Sequence, residues 1–368
     1  MLLGAVRRRC CSTPQTARAR ALSSASTFNT QQRVVAEQLL RTVGSEEDLA
    51  VYEKYFAKGE QHLVVVKAGG EVIRDELDVF VKGLQAMKAV GLFPIVVHGG
   101  GPQMNQIMEE QGIEPQYAAG LRVTDEHVLG ERRPDSRRRC RRVRPHARAL
   151  AASSPALRGS ALKLFSPWRA PSLVSSGVAR QTFLECNLQL CAGLEAAGCQ
   201  ARPITSGVLQ AEVKDPAIGF VGEITGMNIV PVQAAIDNDC IPVILPLAES
   251  TTGQILNVNA DVVAREAAIR LAPLKTVFIN SKGGWVTTKQ DEPHAEAGVK
   301  LPRISMAEHY EEMAARDYEG RQGTLLKLNE LKMILDALPP PASIALTSAA
   351  GLVKEIFPHR GVGTTVSH

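Results

Sequence analysis

Two continuous apolar runs, each followed directly by glycines, constrain the fold of this chain more than any other feature. The first run, at residues 62–67, leads into Gly69 and Gly70, and the second, at residues 94–98, leads into three glycines at 99–101. Strands that are buried on both faces of a parallel sheet have such unbroken apolar sequences, because helices cover both of their faces. The two runs therefore predict two buried strands of a parallel sheet.

Strands and helices are predicted to alternate along most of the chain. Residues 71–90 and 103–111 have helical periodicity and follow the two apolar runs. Further strands are expected at 241–247, 276–279 and 343–346, and further helices near 231–238, 259–271, 306–315 and 324–337. Such alternation predicts an α/β fold, a three-layer αβα sandwich with a mainly parallel central sheet.

The net charge of +4 is distributed very unevenly. Residues 1–36 contain six arginines and no acid, and residues 131–177 carry a net charge of +10, so the remaining residues carry −12. A basic chain often binds nucleic acid. Here the basic charge lies mainly outside the part that has globular patterning, so we expect no nucleic-acid partner.

Membrane and disulfide-rich classes are also disfavoured. No apolar run approaches the ~20 residues of a membrane span, so no membrane partner is expected. The seven cysteines include no CxxC pair, which argues against structural zinc and against a disulfide scaffold. A reducing compartment fits this cysteine usage.

Three segments are predicted from composition and periodicity. Residues 1–30 are rich in Arg, Ser, Ala and Thr and have no acid, which is typical of a mitochondrial transit peptide; a disordered basic tail is the alternative. Residues 31–60 are predicted to be an N-terminal helical segment. Residues 61–368 then form the main domain, which residues 131–177 interrupt.

We call residues 131–177 the basic segment; it is 47 residues long and lacks clear periodicity. Without it, Leu129, Ala179 and Phe183 follow one another at helical spacing, so the segment interrupts a predicted helix. We interpret it as a disordered insertion or a retained, translated intron. A genuine basic arm that binds RNA or a protein partner is the alternative.

Glycines and lysines at predicted strand and helix ends suggest an anion site. Ligands of open α/β sheets bind beyond the carboxyl ends of the strands, and glycine lets backbone N–H groups approach phosphate oxygens closely. Lys67 stands at the end of a buried strand, directly before two glycines. Asn257 and Asp261 precede a predicted helix, and Lys327 lies at the start of another. Each feature alone is also compatible with an ordinary turn, cap or surface lysine.

Six short motifs together resemble the amino acid kinase family, and within it the acetylglutamate kinases. They are KAGG from Lys67, HGGGPQ from His98, GLRVTD from Gly120, RPITSG from Arg202, LNVNAD from Leu256 and GTLLK from Gly323. The resemblance covers residues 33–366 apart from the basic segment, and it is greatest to the mitochondrial, arginine-sensitive eukaryotic branch. It implies the amino acid kinase fold for the main domain.

The resemblance also implies an activity. These enzymes use ATP with Mg²⁺ to phosphorylate the side-chain carboxylate of N-acetyl-L-glutamate, giving the acyl phosphate and ADP in arginine biosynthesis. The mitochondrial matrix, a homo-oligomer and inhibition by arginine are further expectations. Because a carboxylate with a pKa of about 4.3 is already ionised at neutral pH, no general base is needed, and His98 is expected to be structural. The alternative is a catalytically silent, arginine-sensing domain of an N-acetylglutamate synthase.

Roles for individual residues follow from the resemblance. Lys67 and Lys327 would neutralise the transferring phosphoryl group, and Asp261 would hold both lysines. Arg122 and Asn257 would bind the substrate. Backbone donors to the phosphates would come from Gly69, Gly70, Gly99, Gly100 and Gly101, with Gly100 also touching the substrate. No protein side chain is expected to ligate a metal. Regulatory arginine would bind near Glu355, Gly361 and Gly363, with residues 33–57 as the neighbouring helix; a simple packing helix is the alternative.

Overall fold

The structure is a computed structural model. It describes residues 62–118, 121–125, 128, 177–286, 298–316, 322–339, 342–356 and 362–368. The expected transit peptide, the N-terminal helical segment and all of the basic segment except Gly177 lie outside the described residues. Those three interpretations therefore remain predictions.

Sixteen strands and eight α-helices occur in the described part of the chain. The strands are β1 His62–Ala68, β2 Leu92–His98, β3 Tyr117–Ala118, β4 Leu121–Arg122, β5 Ala201–Ile204, β6 Leu209–Val213, β7 Gly222–Met227, β8 Ile241–Ile244, β9 Leu247–Glu249, β10 Ile255–Asn257, β11 Lys275–Ile279, β12 Trp285–Val286, β13 Lys300–Leu301, β14 Arg303–Ser305, β15 Ser343–Thr347 and β16 Thr364–Ser367. The helices are α1 Gly70–Asp75, α2 Leu77–Ala89, α3 Gly101–Glu110, α4 Val178–Ala196, α5 Val230–Asp237, α6 Ala260–Leu271, α7 Met306–Ala314 and α8 Gln322–Ala337.

The central sheet has eight strands in the order β14-β16-β15-β11-β1-β2-β8-β5. All neighbours pair in parallel except β15 and β16, which are antiparallel. The two apolar runs are the neighbouring strands β1 and β2, with Lys67 in register with Val97. The mainly parallel sheet predicted from the sequence is therefore confirmed.

Helices cover both faces of this sheet, which explains the unbroken apolar runs. Val64 and Val66 of β1 pack in one buried cluster with side chains of α2 and α4. Val65, between them, belongs to a second cluster that includes Ala264 of α6 and Leu328 of α8. Since successive residues of a strand point to opposite faces, consecutive positions in the middle of β1 must all be apolar to bury both.

The structure corrects several boundaries. The helix expected over 71–90 is two helices, because the chain leaves helical geometry at Glu76 between α1 and α2. The strand expected over 241–247 ends at Ile244, and Leu247 begins β9 of a separate four-stranded sheet with the order β10-β9-β6-β7. Two strands of that second sheet, β6 and β7, were missed because exposed polar residues interrupt their apolar sequence.

Candidate functional site

The glycine turns after β1 and β2 pack against each other. A methyl group added at Gly70 would lie 2.9 Å from the Cα of Gly100, so the two turns meet without room for a side chain. Gln103, in the first turn of α3, donates from its Nε2 to the Gly70 carbonyl oxygen at 2.7 Å. By contrast, a methyl group at Gly101 would meet no atom within 4 Å. The turns thus form one glycine-lined edge that is open beside Gly101.

A buried histidine fixes the second turn. His98 is fully buried, and its Nδ1 lies 3.1 Å from the Gly99 carbonyl oxygen. Its Nε2 lies 3.2 Å from Nδ2 of Asn187, which also donates to the Val243 carbonyl oxygen at 2.9 Å. Burial lowers the pKa of His98 to about 4, so the ring is neutral at physiological pH. These contacts fit the expected loop-shaping role.

Two lysines from different elements meet one carboxylate beside this edge. Lys67 Nζ, from β1, lies 2.8 Å from Oδ1 of Asp261, and Lys327 Nζ, from α8, lies 3.7 Å from Oδ2. Asp261 stands in the first turn of α6, and the Asn259 side chain caps that helix by accepting the Asp261 N–H at 2.7 Å. The structure therefore brings together the three residues expected to be catalytic.

Electrostatics keep this cluster charged although it is buried. Burial would raise the pKa of Asp261, but the charges of Lys327 and Lys67 together lower it to about 2. Burial lowers the pKa of Lys327, while the Asp261 carboxylate opposes that shift. One carboxylate thus holds two cations, so the cluster has a net positive charge that suits an anion.

A cleft of about 200 Å³ opens at the glycine-lined edge. It brings together Arg122 and Asn257, the two expected substrate-binding side chains, with the glycines of the second turn. The other walls are mainly apolar and include Met104, Leu121, Phe183, Val221, Pro246 and Val258. A mainly apolar cleft with few polar groups is typical of a small-molecule site.

The Arg122 guanidinium is held in place by neighbours. Its Nη2 donates to the Tyr117 hydroxyl at 2.7 Å and to Oδ1 of Asn105, and the guanidinium lies 4.9 Å from the centre of the Tyr117 ring. Burial lowers the pKa of Arg122, which stays protonated at any physiological pH. A fixed, partly desolvated guanidinium is well suited to bind a carboxylate.

Asn257 is oriented by a contact across the cleft. Its Nδ2 donates to Oγ1 of Thr124 at 3.0 Å, and that hydroxyl donates to the Arg122 carbonyl oxygen at 3.1 Å. Asn257 and Arg122, far apart in sequence, are therefore linked through one threonine. This link supports the expectation that both serve one ligand, and their roles remain predictions.

The backbone N–H groups of the glycines are expected to bind phosphates, but not all of them are available. Gly99 donates its N–H to the Ala68 carbonyl oxygen at 2.9 Å, so this group already has a partner. Gly100 packs closely on α4, because a methyl group there would lie 3.1 Å from side-chain carbons of Thr182 and Phe183. For all five glycines the phosphate role stays a prediction.

The expected arginine site lies elsewhere in the fold. Glu355 is buried, and its Oε1 accepts the Gly363 N–H at 2.6 Å. Lys275 donates to the Glu355 carbonyl oxygen, and burial lowers the pKa of this lysine. Gly361 lies outside the described residues. Glu355 thus holds the turn before β16, and arginine binding there remains a prediction.

Among the described residues, no three His, Cys, Asp or Glu side chains group as metal ligands would. Asp261, the acid of the cluster, has a lysine beside each oxygen, so it is a poor ligand for Mg²⁺. Magnesium keeps few protein ligands in such sites and is bound largely by substrate phosphates. That no protein side chain ligates the metal stays a prediction. Each described helix is too short or too polar to span a membrane.

Several residues of the site could not be found from the sequence. Asn105 and Tyr117 hold Arg122, and Asn187 holds His98, yet none stands in a recognised motif. Arg265 and Glu330 form a second buried ion pair beside the lysine–aspartate cluster. The only available signal was a polar residue on a predicted core face, which Asn187 gives in the apolar pattern of α4.

The sequence pattern of the amino acid kinase family matches residues 62–342. The chain is 34% identical to "Protein arg11, mitochondrial" of Schizosaccharomyces pombe, over 92% of this chain and 32% of that protein. It is also 34% identical to "Protein ARG5,6, mitochondrial" of Candida albicans, over 94% of this chain and 34% of that protein. To the acetylglutamate kinase of Xanthomonas campestris it is 31% identical, over 88% of this chain and 63% of that protein. The chain thus spans about a third of the fungal proteins.

Solved structures share the fold. The N-acetylglutamate synthase of Neisseria gonorrhoeae, in complex with coenzyme A and N-acetyl-glutamate, superposes with a TM-score of 0.62 at 16% identity, over 88% of this chain and 63% of that chain. The protein smu.665 of Streptococcus mutans superposes with a TM-score of 0.58 at 20% identity, over 83% and 98% of the two chains. At these identities the structures support the fold alone.

Proposed function

Because this chain belongs to the amino acid kinase family, we propose that it is an acetylglutamate kinase of arginine biosynthesis. The reaction transfers the γ-phosphoryl group of ATP to the side-chain carboxylate of N-acetyl-L-glutamate. The products are N-acetyl-L-glutamyl 5-phosphate and ADP. The identity to a bacterial acetylglutamate kinase over 88% of this chain supports this choice within the family.

The observation that carries the proposal is the pair of lysines on one carboxylate. Phosphoryl transfer depends on positioning and charge neutralisation more than on covalent help from the protein. Lys67 and Lys327 supply two positive charges, and Asp261 fixes both at 2.8 and 3.7 Å beside the glycine-lined edge. A regulatory domain without chemistry would have no need of this buried arrangement.

Each group of the site then has one task. The backbone of the glycine turns receives the phosphates of the nucleotide, and Lys67 and Lys327 neutralise charge on the transferring group. Arg122 and Asn257, on the walls of the cleft, hold N-acetyl-L-glutamate. The attacking carboxylate is already ionised, so no side chain has to remove a proton. Neutral His98 keeps the second turn in place.

Magnesium, when bound with ATP, supplies further positive charge on the phosphate oxygens. With both oxygens of Asp261 beside lysines, the metal would be held mainly by the nucleotide phosphates. Lys67 and Lys327 occupy the two oxygens of Asp261, so this carboxylate would not be available to the metal.

Location and regulation follow from the relatives. Several of them are named as mitochondrial proteins, and with the basic, acid-free residues 1–30 this supports the mitochondrion, and within it the matrix, as the location. Arginine is proposed as an inhibitor and a homo-oligomer as the assembly. The fungal proteins extend well beyond the region that this chain matches.

The second candidate is a catalytically silent, arginine-sensing domain. The fold shared with an N-acetylglutamate synthase is compatible with this role and does not select it. The two functions differ in what they require of Lys67 and Lys327: a kinase needs both charges, whereas an arginine sensor needs neither.

The test is ATP-dependent acyl-phosphate formation, trapped with hydroxylamine as the hydroxamate. N-Acetyl-L-glutamate, L-aspartate, unacetylated L-glutamate and carbamate would be compared at equal concentration. We expect product from N-acetyl-L-glutamate only. Product from another acid would change the substrate assignment. A folded protein that forms no product with any of them would favour the silent domain, and arginine binding by calorimetry would then be measured.

A further inference from the structure

A second buried ion pair lies one helical turn from the lysine–aspartate cluster. Arg265 of α6 donates from Nη1 to Oε2 of Glu330 in α8 at 2.8 Å, and its Nη2 lies 3.0 Å from Oε1 of Glu266. The side chains of Arg265 and Glu330 are 13% and 6% exposed. The two helices therefore face each other through two ion pairs, Asp261 with Lys327 and Arg265 with Glu330.

The spacing makes Arg265 a potential competitor for the catalytic carboxylate. Arg265 follows Asp261 by four residues in the same helix, and an aspartate four residues before an arginine is a favourable helical ion pair. A guanidinium also binds a carboxylate with two parallel hydrogen bonds, which an ammonium cannot do. The contact of Lys327 with Asp261, at 3.7 Å, is the longer of the two lysine contacts and the more easily displaced.

Two glutamates engage this guanidinium. Glu330 lies beside Nη1 and Glu266 beside Nη2, so both terminal nitrogens of Arg265 already have carboxylate partners. The charge of Asp261 acts on Glu330, which is one of the causes that raise the Glu330 pKa, after burial and against the effect of Arg265. Arg265 therefore stands one helical turn from Asp261 and in contact with Glu330.

We propose that Glu330 is a positioning residue that sequesters Arg265 and so reserves Asp261 for Lys327. This inference rests on the proposed function, because it concerns the lysine assigned to the transferring phosphoryl group. It assigns opposite roles to the two members of one ion pair. Loss of Glu330 releases a competing cation, whereas loss of Arg265 removes the competitor.

The experiment compares four forms of the full chain in the hydroxamate assay: the parent, Glu330→Met, Arg265→Met and the double variant. Methionine has the length of glutamate and is shorter than arginine, and an apolar replacement of both members of a buried pair is often tolerated. We expect Glu330→Met to lower kcat about tenfold or more, since small displacements of catalytic groups have effects of this size. Arg265→Met should lower kcat about twofold at most, and the double variant should recover most of the loss.

An ion pair that serves stability alone predicts a different pattern. Both single variants would then have similar kcat values once they are folded, which thermal unfolding checks for each. Lys332 and Asp336 form an exposed ion pair on the same helix, at 2.7 Å, and Lys332→Met is the matched control for α8. Equal losses in the two single variants, or a double variant as poor as Glu330→Met, would overturn the proposal.

A crystal structure of Glu330→Met gives a readout that does not depend on activity. We expect a nitrogen of the Arg265 guanidinium within about 3 Å of an Asp261 oxygen, which is hydrogen-bond distance, and Lys327 moved away. Arg265 left in its original place would contradict the proposal. If Glu330→Met does not fold, the kcat of Arg265→Met tests the proposal instead. A tenfold loss of kcat in Arg265→Met would contradict sequestration. An inactive parent chain would count against the proposed function and not against this inference, which the crystal structure still tests.

Discussion

Lys67 at the end of β1 and Asp261 in the first turn of α6 form a buried ion pair, with 2.8 Å between Nζ and Oδ1. The pair joins the central sheet to the helix that packs on it, close to where the glycine turns leave the sheet. Lys327 joins the same carboxylate from a third element. The stability of this part of the fold and the charge of the site are therefore linked through Asp261.

This link predicts how stability depends on acid. Asp261 has a pKa of about 2 in the fold, below its ordinary value of 3.8, so its ionised form stabilises the fold above pH 4. That contribution, about 2 kcal/mol, is lost as the pH falls from 4 to 2. Urea unfolding should show that Asp261→Asn is less stable than the parent at pH 6 and that the difference shrinks by about this amount near pH 2. Asp336→Asn, on the exposed face of α8, is the control, and a difference that stays constant with pH would refute the link.

His98 predicts a separate loss of stability on acidification, which begins at a higher pH than the loss caused by Asp261. Its pKa is lowered from 6.5 to about 4 because the buried ring is not easily charged. The unfolded chain therefore takes up a proton first, and the fold loses about 3 kcal/mol as the pH falls from 6.5 to 4. In His98→Gln this portion of the acid sensitivity should be absent in equilibrium unfolding. The matched control is His309→Gln at an exposed site of α7, and an unchanged acid sensitivity in His98→Gln would show that the histidine is not the cause.

The contact between the glycine turns predicts an effect on nucleotide binding. In Gly70→Ala the new methyl group would lie 2.5 Å from Oε1 of Gln103 and 2.9 Å from Cα of Gly100, so the turns must separate. We expect the KM for ATP to rise about tenfold, because backbone donors move away from the phosphates. Gly101→Ala is the control for folding, since its methyl group would meet no atom within 4 Å. An unaltered KM in a folded Gly70→Ala protein would mean that this turn does not bind phosphate.

Deletion of the basic segment tests its interpretation. Val128, before the segment, packs in one buried cluster with Val178, Ala179 and Phe183, which follow it. Asp125 accepts the Val128 N–H at 2.9 Å, as a helix cap does. We therefore expect a chain without residues 131–177 to fold and to match or exceed the kcat and the unfolding midpoint of the full chain. Loss of folding on deletion, or salt-sensitive RNA binding by the full chain alone, would favour a genuine functional arm.

Local patterns predicted five of the eight strands of the central sheet, and they missed β5, β14 and β16 towards its two edges. The interiors of β1 and β2 are unbroken apolar runs because both faces are covered, and the polar residues His62, Lys67 and His98 lie at or next to the strand ends. The same reasoning failed for β6 and β7, where the exposed Gln210 and Glu223 break the apolar pattern. The break at Glu76 was also missed, since the apolar positions before and after it continue one helical spacing.

Only the site residues that stand in one of the recognised motifs were predicted from the sequence. Lys67, Asp261 and Lys327 came from the family resemblance, and their meeting at one carboxylate depends on how α6 and α8 pack on the sheet. The contact of His98 with Asn187 and that of Arg265 with Glu330 each join residues distant in sequence. No local pattern encodes such pairs, because each partner alone has the sequence context of an ordinary core or surface residue.

Because two lysines on one carboxylate are proposed to support phosphoryl transfer, kcat for hydroxamate formation in Lys67→Ala and Lys327→Ala tests the proposed function directly. Removal of one preorganised positive group should lower kcat about 10²- to 10³-fold in each variant. Lys332→Ala, on the exposed side of α8, should keep the parent's kcat. Circular dichroism would verify the fold of every variant. A folded Lys67→Ala or Lys327→Ala protein with the parent's kcat would contradict the role of that lysine in phosphoryl transfer.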